Sequence, residues 1–318
     1  MPCGPSGSPQ WSSNALRESQ HTPKQEAQRL NQHPFERSGL ASLDDLSTPL
    51  WRSLFSRLES AQSEFLAAQP HCPDYPWPRD PLHNWIRVWE YPFTYYHLES
   101  HTCSLSGHPL PQVVDLGSGA TFFPFAVARS GRRVIAVDGD PRVTSSVNRA
   151  INRVSAGDGT VTSLLSDARS VDLETESVDC VYCISVLEHV PDFERVISEI
   201  ARILCPNGLL VLTFDVDLRG NSELGPAAYE RLMGALQASF FRVYPERVVH
   251  PLRVLNTDNS IYPGYPSRSI LTPLIAPLKR PLVFAYDRLR GGRAPLGRVL
   301  AGTYGACLRK HRSQKEDA

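Results

Sequence analysis

The sequence predicts an α/β fold, a doubly wound and mostly parallel sheet with helices on both faces. Three observations carry that reading. Short runs rich in β-branched and apolar residues alternate with segments of helical period along the middle of the chain. The stretch VVDLGSGATFFPFAVA (113–128) joins one such run to a helical segment through paired glycines. The chain of 318 residues is 41% hydrophobic and 21% charged, enough apolar material for a sizeable core.

Residues 1–45 are rich in Ser, Pro, Gln and His and poor in aliphatic side chains, and are expected to form a disordered leader. A helical N-terminal cap is expected over 46–110. In it Trp51, Leu54, Phe55, Leu58 and Phe65 fall near helical spacing, the Pro-rich CPDYPWPRDP interrupts the pattern, and HNWIRVWEYPFTYYHL gathers aromatic residues. That aromatic cluster reads either as core or as a lid over an acceptor, with Arg87, Glu90 and His97 as its polar members. The core domain is placed at 111–256. Its strands are expected at Val113–Leu116, Val134–Val137, Val161–Leu165, Val178–Ile184 and Leu209–Phe214, the last entered through an Asn207-Gly208 turn. Helices are expected in PRVTSSVNRAINRV, in DFERVISEIARIL and near Ala227–Phe240. An irregular extension occupies 257–318, with YGACLRK as a candidate edge strand.

Composition excludes several classes. The 33 basic residues balance the 33 acidic ones, so the chain carries no general bias toward nucleic acid. Its seven cysteines are scattered and odd in number, which points to reduced thiols and a cytoplasmic setting. The spacing Cys180-Val181-Tyr182-Cys183 lacks a second pair and reads as buried strand packing. The opening residues have no apolar stretch suited to a signal peptide, and no run of eighteen apolar residues suggests a transmembrane segment. The excess of Lys and Arg between Lys279 and Arg312 reads as a solvated face, or as a site for an anionic acceptor or surface.

Gly117 and Gly119 let the chain turn sharply after the first strand. A dinucleotide site would place a third glycine where this chain has Phe122, which opposes an NAD(P)-dependent oxidoreductase. Asp115 beside the glycines suits S-adenosylmethionine, which presents an ammonium and a sulfonium and no pyrophosphate. Asp138 ends the second strand nineteen positions after Gly119, where a carboxylate can accept from ribose hydroxyls. Asp140, directly before Pro141, is expected to cap the next helix. Asp167 ends the third strand, where it could receive a base amino group.

Taken together, DLGSG (115–119), AVDGDP (136–141), LLSDA (164–168), SVDCVYCISVLEHV (177–190) and EIARILCPNGLLVLTF (199–214) resemble the class I S-adenosylmethionine-dependent methyltransferases, and within them the small-molecule enzymes with a ubiquinone-biosynthesis type of core. The resemblance runs over roughly residues 111–215. It implies a seven-stranded, Rossmann-like sheet with an antiparallel last strand and S-adenosyl-L-methionine as cofactor. It places Asp115, Gly117 and Gly119 around the methionine end, Asp138 on the ribose, and Asp167 with Ala168 at the adenine; Gly139 and Ser185 complete the candidate cofactor-binding residues. Thr121 stands where many members have a further glycine. Ser185 replaces the first glutamate of the Glu-x-x-Glu-His metal motif found in some relatives, so no metal is expected.

His189, in the turn after the fourth strand, is the candidate general base, with bracing of that loop as its alternative role. Trp89, Glu90, Tyr91 and Asp215 are the candidate acceptor residues. The expected activity is methylation of a small-molecule or glycan acceptor, first on oxygen and second on nitrogen. A cofactor-binding protein that acts only as an interaction partner is the alternative from another class.

Overall fold

A computed structural model describes residues 33–218, 224–262 and 301–312. The sheet at its centre is built from β2 (Gln112–Leu116), β3 (Arg133–Asp138), β4 (Thr160–Leu165), β5 (Val178–Ile184), β6 (Leu204–Asp217) and β8 (Ala301–Lys310), with the short β1 (Gly39–Leu40) and β7 (Phe240–Arg242) beside β8. The order is β1-β8-β6-β5-β2-β3-β4, parallel from β6 to β4 and antiparallel where β8 meets β6, β1 and β7. The two short strands bring the count to eight against the seven expected.

Alternate residues along the strands enter two separate apolar layers, as the period of two requires. Val113, Val134, Ala136, Cys180, Tyr182, Val211 and Cys307 pack on one face against α1 (Pro49–Ala67), α2 (Arg87–His101), α3 (Phe123–Ala128) and α4 (Pro141–Ile151). Val114, Leu116, Val137, Val181, Cys183, Leu210 and Leu212 pack on the other against α5 (Phe193–Ile203) and α6 (Pro226–Ser239). Thr48 caps α1 by accepting from the Trp51 N–H at 3.2 Å. Asp140 caps α4 by accepting from the Arg142 N–H at 2.8 Å, as expected. Cys180 and Cys183 lie on opposite faces of β5. Burial pushes the first thiol up to about 12 and the second well above the ordinary range, consistent with packing.

Three expectations meet a different outcome. Residues 33–45, expected within the leader, are ordered instead: Phe35 is fully buried and Arg37 ion-pairs with buried Asp45; residues 1–32 lie outside the described residues. YGACLRK is not at an edge, because β8 runs between β6 and the pair β1 and β7. Gly305 makes that position possible, since a Cβ there would stand 2.6 Å from the Trp89 ring. The Asn207-Gly208 turn falls inside β6. Leu204 pairs with Val178 and Leu209 with Cys180, so residues 205–208 bulge out, with Asn207 in the left-handed region at φ 63°. Most of the basic stretch after Lys279 lies outside the described residues.

Among the described residues no helix is long and apolar enough to cross a membrane.

Candidate functional site

The parallel strands β2, β3, β4 and β5 end at one edge of the sheet, and the loops that follow them enclose a cavity of about 370 Å³. Placement at the carboxyl ends of parallel strands is where α/β sheets take ligands. The glycine turn forms one wall. Gly117 (φ 75°) and Gly119 (φ 55°) both occupy the left-handed region, and the N–H groups of Gly117 and Ser118 donate to the Val137 carbonyl at 2.8 and 3.1 Å. A Cβ on Gly117 would lie 2.4 Å from a methyl of Val186, so the loops after β2 and β5 are pressed together and only glycine fits.

The first three acids of the sequence reading meet this wall in different ways. Asp138 lines the cavity and accepts from the Gly119 N–H at 3.0 Å and the Asp140 N–H at 2.9 Å. Burial raises its pKa, and those N–H groups oppose the rise. Asp115 also lines the cavity. It is enclosed beside Tyr182 of β5, and burial holds its carboxyl well above the ordinary range. Asp167 turns away. Its two oxygens take a bidentate ion pair from Arg169, which holds the carboxyl down at about 2, and it borders an adjoining open hollow. Its neighbours Ser166 and Ala168 reach the cavity instead, as do Gly139 and Ser185.

Of the acceptor candidates, Tyr91 lines the cavity. Trp89 does not. It is fully buried, stacked on Phe93 at 4.5 Å, with its indole N–H donating to Asp45 at 2.8 Å. Glu90 and Asp215 stand behind the cavity wall with Glu188. Ser185, at φ 48°, donates its hydroxyl to Glu90 at 2.7 Å, and Glu90 ion-pairs with Arg87, which faces the cavity. Glu188 accepts from the Asp215 N–H at 3.1 Å through one oxygen, while its other oxygen is buried without a partner. Burial first, and then the charge of Glu90, raises Glu188 to about 7. Burial and the charges of Glu188 and Glu90 hold Asp215 well above the ordinary range. His189 is exposed at the rim, where the cavity meets the open hollow.

The N-terminal cap contributes more than its aromatic helix. Tyr75, Trp77, Pro78 and Pro81 close over the glycine turn, and the Tyr75 hydroxyl accepts from the Ala120 N–H at 3.0 Å. These residues sit in the Pro-rich stretch, whose only sequence signal is an interruption of helical period. Phe122, in the place of the third glycine, is fully buried against Tyr91 at 5.3 Å, and α3 behind it has only six residues. That packing leaves no close backbone approach of the kind a pyrophosphate needs.

Residues 114–212 match a family described as a methyltransferase domain. The chain is 31% identical over 153 residues to an uncharacterized methyltransferase of Mycobacteroides abscessus, covering 48% of this chain and 56% of that protein. It is 33% identical over 108 residues to a ubiquinone biosynthesis O-methyltransferase of Xanthomonas oryzae, covering 32% of this chain and 42% of that one. The chain thus spans about half the length of the curated relatives it matches. Among solved structures, the N-methyltransferase NodS of Bradyrhizobium japonicum in complex with S-adenosyl-L-homocysteine is similar at 17% identity. It has a TM-score of 0.42, with 80% of this chain and 98% of that one covered.

Proposed function

We propose that this chain is a class I S-adenosylmethionine-dependent methyltransferase, a reading supported by the methyltransferase-domain match over residues 114–212, and that it methylates a hydroxyl oxygen of a small molecule or sugar. The cavity suits the cofactor on its own geometry. The Ser118 hydroxyl is buried in its wall without a partner, a site for a polar ligand group. Asp138 spends one acceptor position on each of two N–H groups and keeps others for ribose hydroxyls. Asp115, Gly117 and Gly119 would hold the methionine end, with Arg87 near enough to receive its carboxylate, and Gly139 with Ala168 would border the nucleoside. Asp167 is the weak member of the expected set, because Arg169 already occupies both its oxygens. When bound, the cofactor supplies a methyl group activated by its attachment to a sulfonium.

The observation that carries the oxygen reading is the Ser185–Glu90 hydrogen bond of 2.7 Å. With its proton directed to Glu90, the Ser185 oxygen turns lone pairs to the cavity and can accept from an acceptor hydroxyl. Tyr91 and Arg87 flank that point, and the Tyr75–Pro81 segment excludes water above it. The chain then needs mainly to orient the hydroxyl oxygen and relieve it of its proton. A fully enclosed Glu90 beside Arg87 suits that task better than rim-exposed His189.

Methyl transfer to a panel of phenolic, sugar and amine acceptors, followed by detection of S-adenosylhomocysteine, tests the proposal. Turnover with hydroxyl acceptors is expected. In Ser185→Ala turnover should fall by ten-fold or more while S-adenosylhomocysteine affinity holds. Loss of affinity with turnover preserved at saturation would return Ser185 to the cofactor. Turnover with amines alone would overturn the oxygen reading.

A further inference from the structure

At the far end of α2 from the cavity, ten residues or about 15 Å along the helix axis from Arg87, lies a second cluster of chemically capable side chains. His97 and His101 are spaced i, i+4 on α2, and Cys307 comes from β8, the strand beneath it. Each offers one ligand atom, and the three atoms lie within 4.8 Å of one another. His97 and Cys307 are fully buried and His101 is half-buried.

His97 points to a ligand most directly. Its Nε2 faces the Phe35 carbonyl at 3.0 Å, which makes Nε2 the protonated nitrogen. Its Nδ1, left as a bare acceptor, is buried and has no partner. An orphaned acceptor in a dry interior is destabilising, and no protein group recovers it. An imidazole held by a backbone carbonyl on one nitrogen and open on the other is the arrangement metal-binding histidines adopt. His101 is oriented in the same way from outside, its Nε2 lying 2.9 Å from the Tyr244 hydroxyl.

We propose that His97, His101 and Cys307 form a structural zinc site that ties the last turn of α2 to β8. Two imidazoles and one thiolate are a borderline-soft set, suited to zinc and poorly suited to magnesium or calcium. Zinc–ligand bonds of about 2.0–2.3 Å require the three atoms to close to roughly 3.3–3.8 Å, a movement within side-chain rotation. Binding deprotonates the Cys307 thiol and releases that proton to solvent, while both histidines coordinate as neutral rings. A water completes four-coordination from the half-buried side. Arg309 is the cation at the rim. It donates to the carbonyls of His101 and Asn207, at 3.2 and 2.8 Å, and the thiolate offsets its repulsion of the ion. The site would hold α2 against the sheet at the end opposite Arg87, Glu90 and Tyr91.

Cobalt(II) titration of the full chain, purified with chelator and then freed of it, tests this. One equivalent should produce a thiolate-to-cobalt charge-transfer band that zinc displaces, and added zinc should raise the melting temperature. Cys307→Ser should abolish the band. Should that variant fail to fold, His101→Gln, on the half-buried side, should weaken cobalt affinity at least ten-fold. Absence of the band in folded wild-type protein overturns the proposal. So does a band that persists in Cys307→Ser, or a cobalt affinity that His101→Gln leaves unchanged.

Discussion

Two buried carboxylates near α2 are treated in opposite ways. Asp45 is saturated: one oxygen accepts from the Ser42 N–H and the Trp89 indole and ion-pairs with Arg37, and the other accepts from Arg247 at 3.2 Å. Two cations answer one acid, Arg37 from eight residues before it and Arg247 from 202 residues after it. Glu188 has one backbone donor, one oxygen with no partner, and Glu90 and Asp215 as neighbours of its own sign. Arg87 is the cation that opposes all three. The first arrangement is what a fold does with a charge it needs for cohesion. The second is kept at a cost, one residue from His189 and three from Ser185, both of which line the cavity. Asp45 serves the frame of this molecule, and the Glu188 group stands behind its site.

The contrast predicts opposite responses to removal. Asp45→Ala removes the carboxylate that Arg37 and Arg247 share and leaves the buried Trp89 N–H without its acceptor, and should cost about 3–5 kcal/mol in urea unfolding. A loss below about 1 kcal/mol would mean the knot contributes nothing to cohesion.

Glu188→Gln should do the reverse as pH rises. The folded pKa of Glu188, about 7, is raised above its ordinary 4.5, so the native state binds the proton more tightly than the unfolded chain. Its contribution is fully present below about pH 4.5 and is lost as pH rises through 7, up to about 3 kcal/mol in all. The glutamine variant cannot titrate. Its unfolding midpoint should therefore fall less than the wild type's between pH 5 and 8. Parallel pH profiles for the two proteins would show that Glu188 ionises like an ordinary surface acid.

The smallest effect is expected at the rim. His189→Gln should keep most of its turnover and the wild-type pH profile, because His189 is exposed at the rim while Glu90, bonded to Ser185, is fully enclosed. A fall of about 10²-fold or more with cofactor affinity intact would make His189 the base instead.

What the sequence made legible is what depends on neighbouring residues. Asp115, Gly117 and Gly119 follow one strand directly, and the positive φ of both glycines is a local demand. Asp138 was readable from its spacing because β2 and β3 pair in register, Leu116 beside Val137. Asp140 and Pro141 announced a helix start by chemistry alone. Asp167 misled because an arginine two residues on competes for its carboxylate, a local pairing that a strand-end reading does not weigh. Trp89 misled because its aromatic neighbourhood suits a lid and a core equally. Its role is set by Gly305 and Asp45, which are distant in sequence. The interior place of β8 was hidden for the same reason: a strand of small residues looks like an edge until the ring it must accommodate is known. Tyr75 carries no local pattern; Glu90 and Asp215 are candidates from sequence, but their grouping with Glu188 behind the cavity wall is not legible there, because only the packing of separate segments makes it.

The central claim is that the cavity at the strand ends is the cofactor site, with Asp138 as its ribose anchor. Calorimetric titration of wild type and Asp138→Ala with S-adenosylhomocysteine, and of wild type with NAD in parallel, tests it most directly. Wild type should bind S-adenosylhomocysteine and give no heat with NAD. The variant, folded by circular dichroism, should bind at least ten-fold more weakly, since each hydrogen bond to a charged acceptor is worth roughly 1.5–3 kcal/mol. Equal affinity in the two proteins, or binding of NAD alone, would contradict the account.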